Sequence, residues 1–223
     1  MTTGLMKESS AGQGHAQPAR LREKLSSLAM QRFDRSIEAP KAFFGANADA
    51  IARATLAMAR RFRSGGRLLV FGEGANATDA QHVSVEFVHP VIVGKRALPA
   101  IALTNDVATI TSGVIPAESS AFAGMLAILG RADDIALGLH GDRESDNVER
   151  ALSRARGIGM LTIAVGAHKT SGSAGVRCDH AFWIHHDDPL VVQEVSETLY
   201  HVLWELVHVF LDHMPDDPPE TES

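Results

Sequence analysis

Two polar side chains at helical spacing, His82 and Glu86, are the first candidates for chemistry in this chain. They lie at i and i+4 in the segment GEGANATDAQHVSVEF (72–87), so both project from one face of a helix. Such a pair can bind a divalent metal, although a solvent-facing polar pair or a histidine hydrogen-bonded to a carboxylate is commoner. Gln193 and His201 lie on a distant apolar helix, and periodicity alone cannot bring the two helices together. A metal site and an ordinary polar stripe therefore both stay open.

The turn that precedes this helix, Gly72-Glu73-Gly74-Ala75-Asn76, has the glycines of a phosphate-binding loop. Glycine lets the backbone turn tightly and approach a ligand, and a helix N-terminus favours an anion. A tight turn that needs glycine for steric reasons explains the same residues equally well. The carboxylate of Glu73 opposes a bare phosphate site by charge repulsion.

The composition limits the classes of function. The 223 residues carry a formal net charge of -6, which argues against a protein that binds nucleic acid by neutralising its phosphates. The single cysteine, Cys178, cannot form an internal disulfide and fits a reducing compartment. No apolar run reaches the ~18 residues that span a bilayer, and no apolar signal-peptide core precedes the first helix. We therefore expect a cytoplasmic protein with neither nucleic-acid nor membrane partners.

Five short apolar runs must position these side chains. Each run is bounded by turn residues, as strands buried on both faces are. They predict an α/β fold with a doubly wound five-stranded parallel sheet. In such sheets ligands bind beyond the carboxyl ends of the strands, here in the loops after Phe71, Leu103, Leu139 and Val165. The predicted strands are RLLVF (67–71), PAIAL (99–103), DIALGL (134–139), MLTIAV (160–165) and HAFWI (180–184).

Helices flank this predicted sheet. Apolar residues recur at helical spacing from about Arg20 to Arg63, with Pro40 as a break, which predicts two helices or one kinked helix. A final helix spans about 189–213, and its apolar surface is too broad to cover one sheet face, so we expect packing between subunits as a homotetramer. The predicted organisation is a disordered tail (1–17), N-terminal oligomerisation helices (18–64), the α/β domain (65–213) and a disordered acidic tail (214–223).

From about Leu25 to Leu211 the order of these segments resembles a sugar isomerase (SIS) domain with its flavodoxin-like sheet, specifically the phosphoheptose isomerase branch. The most specific features are H-x-x-x-E after the first strand and Q-E-x-x-x-x-x-x-H in the last helix. In that family the first His and Glu and the second Gln and His bind zinc, and the Glu and second His act as acid–base groups. The resemblance implies a zinc site of His82, Glu86, Gln193 and His201, with Glu86 and His201 catalytic.

The sugar-phosphate pocket that the resemblance implies is altered in this chain. The family's G-N-G-G-S becomes GEGAN (72–76), and its S-T-S-G-N-S becomes HGDRES (140–145), so Asp142 stands where the phosphate dianion is expected and Ser145 alone keeps its hydroxyl. Arg143 and His140 can offset part of the Asp142 charge. The substrate-binding residues that the resemblance implies are Glu73, Gly74, Ala75, Asn76, His140, Gly141, Asp142 and Ser145.

Two functions follow from the resemblance. The first is an aldose–ketose isomerase that acts through an enediol on a sedoheptulose 7-phosphate-like or modified sugar. In it Glu86 takes the C2 proton and His201 serves the O1 and O2 end. The second is a non-catalytic SIS protein that binds a sugar derivative or a protein partner. The retained ligand set favours the isomerase, whereas the altered pocket favours the binding protein.

Overall fold

A computed structural model of the chain describes residues 13–111, 120–141, 145–168 and 177–213. Helices and strands alternate along most of this length. No helix in the described ranges combines the length and the apolar character that crossing a membrane requires. The elements are α1 (Gln13–Arg63), β1 (Leu68–Gly72), α2 (Ala75–Val88), β2 (Ala100–Ala102), α3 (Val107–Thr111), α4 (Ala121–Leu129), β3 (Ile135–His140), α5 (Asp146–Ile158), β4 (Leu161–Ala167), β5 (His180–Ile184) and α6 (Pro189–His213).

The five strands form one parallel sheet in the order β2-β1-β3-β4-β5, which confirms the predicted doubly wound fold. After β1 the chain adds β2 on one side and then returns to add β3 on the other. The strand order therefore reverses at the carboxyl ends of β1 and β3, where Gly72 pairs with Leu139. Ligands bind at this position in open α/β sheets, because the connections leave in opposite directions and open a crevice.

Helices cover both faces of the sheet, and each face has its own apolar core. On one face α1, α2 and α6 pack with residues such as Met58, Phe87 and Leu199. On the other face α4 and α5 bury residues such as Leu126 and Leu152 against β1 and β3. This three-layer arrangement places α2 and α6 side by side above the crevice.

One continuous helix of 51 residues, α1, forms where the sequence predicted either two helices or one helix kinked at Pro40. It begins at Gln13, inside the segment expected to be a tail, and continues through Pro40. Its second half is anchored by apolar residues including Ile51 and Phe62, which are 2% and 3% exposed. An ion pair of 2.6 Å between Arg32 Nη2 and Glu194 Oε1 ties the first half to α6.

The second strand is shorter than the run PAIAL predicts. It ends at Ala102, and Leu103 begins a 3-10 turn that extends to Asn105. Because β2 is an edge strand paired only with β1, fewer ladder hydrogen bonds hold its end in an extended conformation. The predicted loop after Leu103 therefore starts one residue earlier.

A buried ion pair lies at the amino ends of the central strands β1 and β3. The carboxylate of Asp134, which is 1% exposed, lies 2.7 Å from Arg67 Nη2 and accepts hydrogen bonds from the backbone N–H groups of Arg67 and Arg131 at 2.8 Å and 3.0 Å. Burial raises the pKa of Asp134, but the hydrogen bonds from Arg67 and Arg131 outweigh burial and hold the pKa below its ordinary value. This pair is structural, since it lies at the amino end of β3, away from the crevice.

Candidate functional site

The connection from β1 to α2 forms one wall of the crevice. A Cβ atom at Gly72 would lie 2.8 Å from the Cβ of Asn76, so only glycine fits at this turn. Gly74 has a φ of +60°, the left-handed region that favours glycine. The second wall is close, because a Cβ at Gly141 would lie 3.1 Å from the Asn76 side-chain nitrogen. Both glycines of the first loop thus have steric reasons to be there.

The tertiary structure brings His82, Glu86 and His201 into one cluster. Each residue offers one ligand atom, and these three atoms lie within 4.8 Å of one another. His82 Nε2 is 3.3 Å from Glu86 Oε1, and the His82 and His201 ring centroids are 5.3 Å apart. Sequence periodicity could place His82 and Glu86 on one helix and His201 on another. The packing of α2 beside α6 brings the two helices, and therefore the three side chains, together.

Gln193 is held in place by a buried carboxylate. Its side-chain nitrogen donates to both oxygens of Asp79, at 3.0 Å and 3.2 Å, and Asp79 is 8% exposed. Because the amide NH₂ group is engaged in this way, the carbonyl oxygen is the atom that Gln193 offers to a metal. Burial raises the pKa of Asp79, against the opposing effect of the Gln193 hydrogen bond.

Tyr200 and Glu197 contact the other nitrogen of His82. The Tyr200 hydroxyl lies 3.0 Å from His82 Nδ1, and Glu197 Oε1 lies 3.7 Å from the same nitrogen. Burial, and then the negative charges of Glu197, Asp79 and Glu86, raise the pKa of Tyr200, so its hydroxyl stays protonated.

Sequence reasoning missed three residues of this site, namely Asp79, Glu197 and Tyr200. Helical spacing offered a signal for all three. Asp79 precedes His82 by three residues on α2, and Glu197 and Tyr200 follow Gln193 by four and seven residues on α6. The contact of Tyr200 with His82, in contrast, depends on the packing of α6 against α2.

The donor atoms suit a transition metal of the zinc type. Two imidazoles, a carboxylate and an amide oxygen are nitrogen and oxygen ligands of the kind zinc accepts. Metal-binding histidines also use their second ring nitrogen in a hydrogen bond, and His82 has Tyr200 in that position. His82, Glu86, Gln193 and His201 therefore have the chemistry of a metal-binding set.

A cavity of about 540 Å³ lies at the crevice, beside Gln193. Of the predicted substrate-binding residues, Asp142 lies outside the described part of the chain. All the others line this cavity, together with Gln193 and residues of the β5–α6 connection. They are Glu73, Gly74, Ala75, Asn76, His140, Gly141 and Ser145.

Glu73 crosses the crevice to the start of α5. Its Oε2 accepts a short hydrogen bond from the Ser145 hydroxyl, and its Oε1 accepts one of 2.8 Å from the Asn147 side-chain nitrogen. Ser145 is the N-cap of α5, and its hydroxyl oxygen also accepts from the Val148 backbone N–H at 3.2 Å. The two loops of the crevice are thus joined through a carboxylate.

Comparison with known proteins connects this geometry to a family. The SIS domain family matches residues 33–167. The phosphoheptose isomerase of Thermodesulfovibrio yellowstonii is 33% identical over 184 residues, which are 82% of this chain and 91% of that protein. The phosphoheptose isomerase of Desulfovibrio desulfuricans is 34% identical over 170 residues, or 76% of this chain and 80% of that protein.

Two solved structures of phosphoheptose isomerases share the fold. The structure from Francisella tularensis has a TM-score of 0.72 and 32% identity, covering 81% of this chain and 96% of its own. The structure from Neisseria gonorrhoeae has a TM-score of 0.73 and 25% identity, covering 82% of this chain and 98% of its own. The family match at 33–167 includes α2 and the loops after β1 and β3.

Proposed function

The chain belongs to the SIS domain family, in the branch of the phosphoheptose isomerases, and on that premise we propose that it interconverts an aldose and a ketose at the crevice. The observation that carries the proposal is the cluster of His82, Glu86 and His201, which α2 and α6 bring together. These residues match the two motifs of the family at their spacing. The remaining ligand of the proposed set, Gln193, lines the cavity directly.

Aldose–ketose isomerisation moves one proton between C2 and C1 through an enediol. It needs a base for the carbon-bound proton, an acid for the oxygens and stabilisation of the developing negative charge. In our proposal the Glu86 carboxylate takes the proton from C2 of the aldose and returns it to C1. The His201 imidazole exchanges a proton with O1 and O2, so that the carbonyl is lost at one carbon and formed at the other.

His82, Glu86, Gln193 and His201 would together hold a zinc ion. When bound, such an ion supplies positive charge beside the sugar oxygens and holds them in place. Asp79 orients the Gln193 amide through its two hydrogen bonds, and Tyr200 orients the His82 ring.

The proposed substrate is a sugar or sugar phosphate of the sedoheptulose 7-phosphate type, or a modified form of it. The cavity of about 540 Å³ has room for a molecule of this size. The residues proposed to bind it are the seven described residues of the two crevice loops, with Asp142 as an eighth outside the described residues.

A second candidate function is a non-catalytic SIS protein that binds a sugar derivative or a protein partner. The observation in its favour is the carboxylate of Glu73, which engages the Ser145 hydroxyl at the position where the family has a phosphate-contacting serine. The two candidates differ in their metal requirement. Stoichiometric zinc in the purified protein favours the isomerase, and its absence favours the binding protein.

Metal analysis of three variants tests the isomerase proposal. We expect His82→Ala and His201→Ala to lose zinc and to melt at lower temperature. A ligand bound only by the folded state stabilises it by about 2.7 kcal/mol at a free concentration roughly 100 times Kd. His89→Ala removes an exposed histidine at the end of the same helix and should leave the metal content unchanged. Full zinc occupancy in either site variant would show that the ligand set is misassigned.

We further propose that the protein is a homotetramer in which α1 and α6 form the subunit contacts. Large apolar side chains are exposed along the first half of α1, and Val209 is exposed on α6. Light scattering should report four chains per particle. A Leu25→Glu, Phe33→Glu double variant should dissociate, while Gln31→Glu on the same stretch should not. A stable monomer at micromolar concentration would exclude the tetramer. The exposed residues of α1 are Leu21, Leu25, Leu28, Met30, Phe33 and Ile37.

The proposed location is the cytoplasm. The lone cysteine, Cys178, has no second cysteine in the chain for a disulfide and suits a reducing compartment. Fractionation of cells that produce the protein tests this location.

A further inference from the structure

The part of the cavity beside α5 already holds a negative charge that belongs to the protein. The N-terminal end of a helix attracts anions, because its backbone N–H groups point outwards and its dipole is positive there. At α5 the carboxylate of Glu73 occupies this position and accepts hydrogen bonds from the side chains of Ser145 and Asn147. The N-terminal end of α5 is therefore already paired with a carboxylate of the protein itself.

Glu73 engages side-chain hydrogen-bond donors from two residues at this position. A serine hydroxyl has one hydrogen, and that of Ser145 is directed to Glu73 while its oxygen accepts from the Val148 backbone N–H. The Asn147 side-chain nitrogen also donates to Glu73. A phosphate on the substrate would have to displace the carboxylate to accept the Ser145 hydroxyl hydrogen.

The charges that line the cavity disfavour an anionic ligand as well. Among the described lining residues, the carboxylates are Glu73 and Asp187, and there is neither a lysine nor an arginine. A phosphate dianion close to Glu73 would meet a like charge without a compensating permanent cation from these residues. A hydroxyl group, in contrast, can donate a hydrogen bond to a carboxylate oxygen of Glu73.

We propose that Glu73 determines the specificity of this cavity, and that the substrate is a sugar whose end beside α5 is an uncharged hydroxyl instead of a phosphate ester. The inference rests on the proposed function for the sugar and for the reaction at the metal cluster. It adds the substrate class and the residue that selects it. Glu73 acts by binding and exclusion and has no role in proton transfer.

Calorimetric titration with a matched pair of sugars tests the proposal. The ligands are sedoheptulose, sedoheptulose 7-phosphate and inorganic phosphate, each titrated into the zinc-supplemented full chain. For the wild type we expect the free sugar to bind about tenfold or more tightly than its phosphate ester, a difference typical of one uncompensated charge contact. Inorganic phosphate should give no binding heat.

Glu73→Gln keeps the length of the side chain and an oxygen for the Ser145 hydroxyl, but removes the charge. We expect its affinity for the phosphate ester to rise by about tenfold, with little change for the free sugar. Glu73→Asn, which restores the residue of the family motif, should shift the preference in the same direction. Asp187→Asn is the matched control, because it removes the other carboxylate of the lining without touching α5, and it should change the ratio by less than about threefold.

Four results would overturn the proposal: a wild type that prefers the phosphate ester, a ratio unchanged in both Glu73 variants, an equal shift in Asp187→Asn, or failure of the free sugar to bind the wild type. Zinc content and deuterium exchange at C1 and C2 report on the proposed function separately. A zinc-containing, exchange-competent protein that prefers the ester defeats this inference alone. Preference for the free sugar without zinc or exchange defeats the isomerase alone.

Discussion

The two halves of the crevice differ in how they are built. The half that carries the proposed metal ligands, here called the metal-ligand half, stands on α2 and α6, where His82 and Glu86 are one turn apart and Gln193 and His201 are two turns apart. The substrate half stands on the connections after β1 and β3, around Glu73 and Ser145. The first half keeps the family's residue types, whereas the second departs from them.

The physical reason for this difference is the support behind each half. The helices of the first half bury their opposite faces in the main core, with residues such as Val83 and Leu199 fully inaccessible. Their polar faces are therefore positioned by packing that cannot shift without creating cavities. The connections of the second half bury little apolar surface, so their side chains can change without disturbing the core. A chemical step can thus be retained while the recognised substrate changes.

The largest expected effect comes from Glu86→Gln in the metal-ligand half. A glutamine cannot accept the carbon-bound proton, so deuterium incorporation into sedoheptulose from D₂O, followed by NMR, should slow by roughly 10²- to 10⁴-fold. Glu205→Gln removes an exposed carboxylate from α6 and serves as the control. Undiminished exchange in Glu86→Gln would contradict the comparison, because it would show that Glu86 on α2 is not the base for the carbon-bound proton.

A change at the amino end of β3, away from the crevice, should affect stability and neither half of the crevice. Asp134→Asn leaves Arg67 without its buried partner and should lower the free energy of unfolding by about 2–3 kcal/mol at neutral pH, measured by urea denaturation. Zinc content should stay unchanged. Asp133→Asn, at an exposed neighbouring carboxylate, should cost less than about 0.5 kcal/mol.

The same pair sets a pH dependence. Because the folded pKa of Asp134 is below its ordinary value, its contribution to stability is fully present above the unfolded pKa of about 3.9 and is lost as the pH falls through the lower folded pKa. The difference in stability between wild type and Asp134→Asn should therefore shrink in acid. A difference that is constant with pH would contradict this assignment.

Asp79→Asn sharpens the comparison within the metal-ligand half. The carboxylate that fixes the Gln193 amide becomes a neutral amide, so zinc affinity should fall by about 10- to 100-fold in competition with a chelator. Asp49→Asn, an exposed change on α1, should leave the affinity as it is. Unaltered zinc affinity in Asp79→Asn would mean that the Asp79 charge is not needed to position Gln193.

The smallest expected effect is that of Tyr200→Phe. The ring is kept and only the hydroxyl at 3.0 Å from His82 Nδ1 is lost. Zinc affinity should fall by about fivefold, equivalent to roughly 1 kcal/mol for one hydrogen bond. The stability of the zinc-free protein should change little. The reverse pattern, with lower stability and unchanged affinity, would make Tyr200 a packing residue only.

Local pattern was enough to predict the fold class and most element positions. The apolar runs DIALGL and HAFWI coincide with β3 and β5 within a residue, and α6 has the predicted bounds of 189–213. The less accurate predictions concern segments where tertiary packing competes with the local conformational preference of the residues. Pro40 does not end α1, whose second half is anchored by the core, and Leu103 leaves the edge strand for a 3-10 turn. The homotetramer and the zinc site stay predictions.

By itself, the sequence determined which residues share a helix face or a strand, because hydrophobic periodicity is a property of neighbouring residues. It also determined the two motifs that relate the chain to its family. The tertiary structure alone decided that His201 and Tyr200 lie against His82, that Asp79 holds Gln193, and that Glu73 reaches Ser145 across the crevice. These contacts join positions 72 to 119 residues apart, and they arise because a parallel sheet places β1 beside β3 and α2 beside α6. The two-residue repeat of a strand and the 3.6-residue repeat of a helix carry no information about contacts between such distant segments.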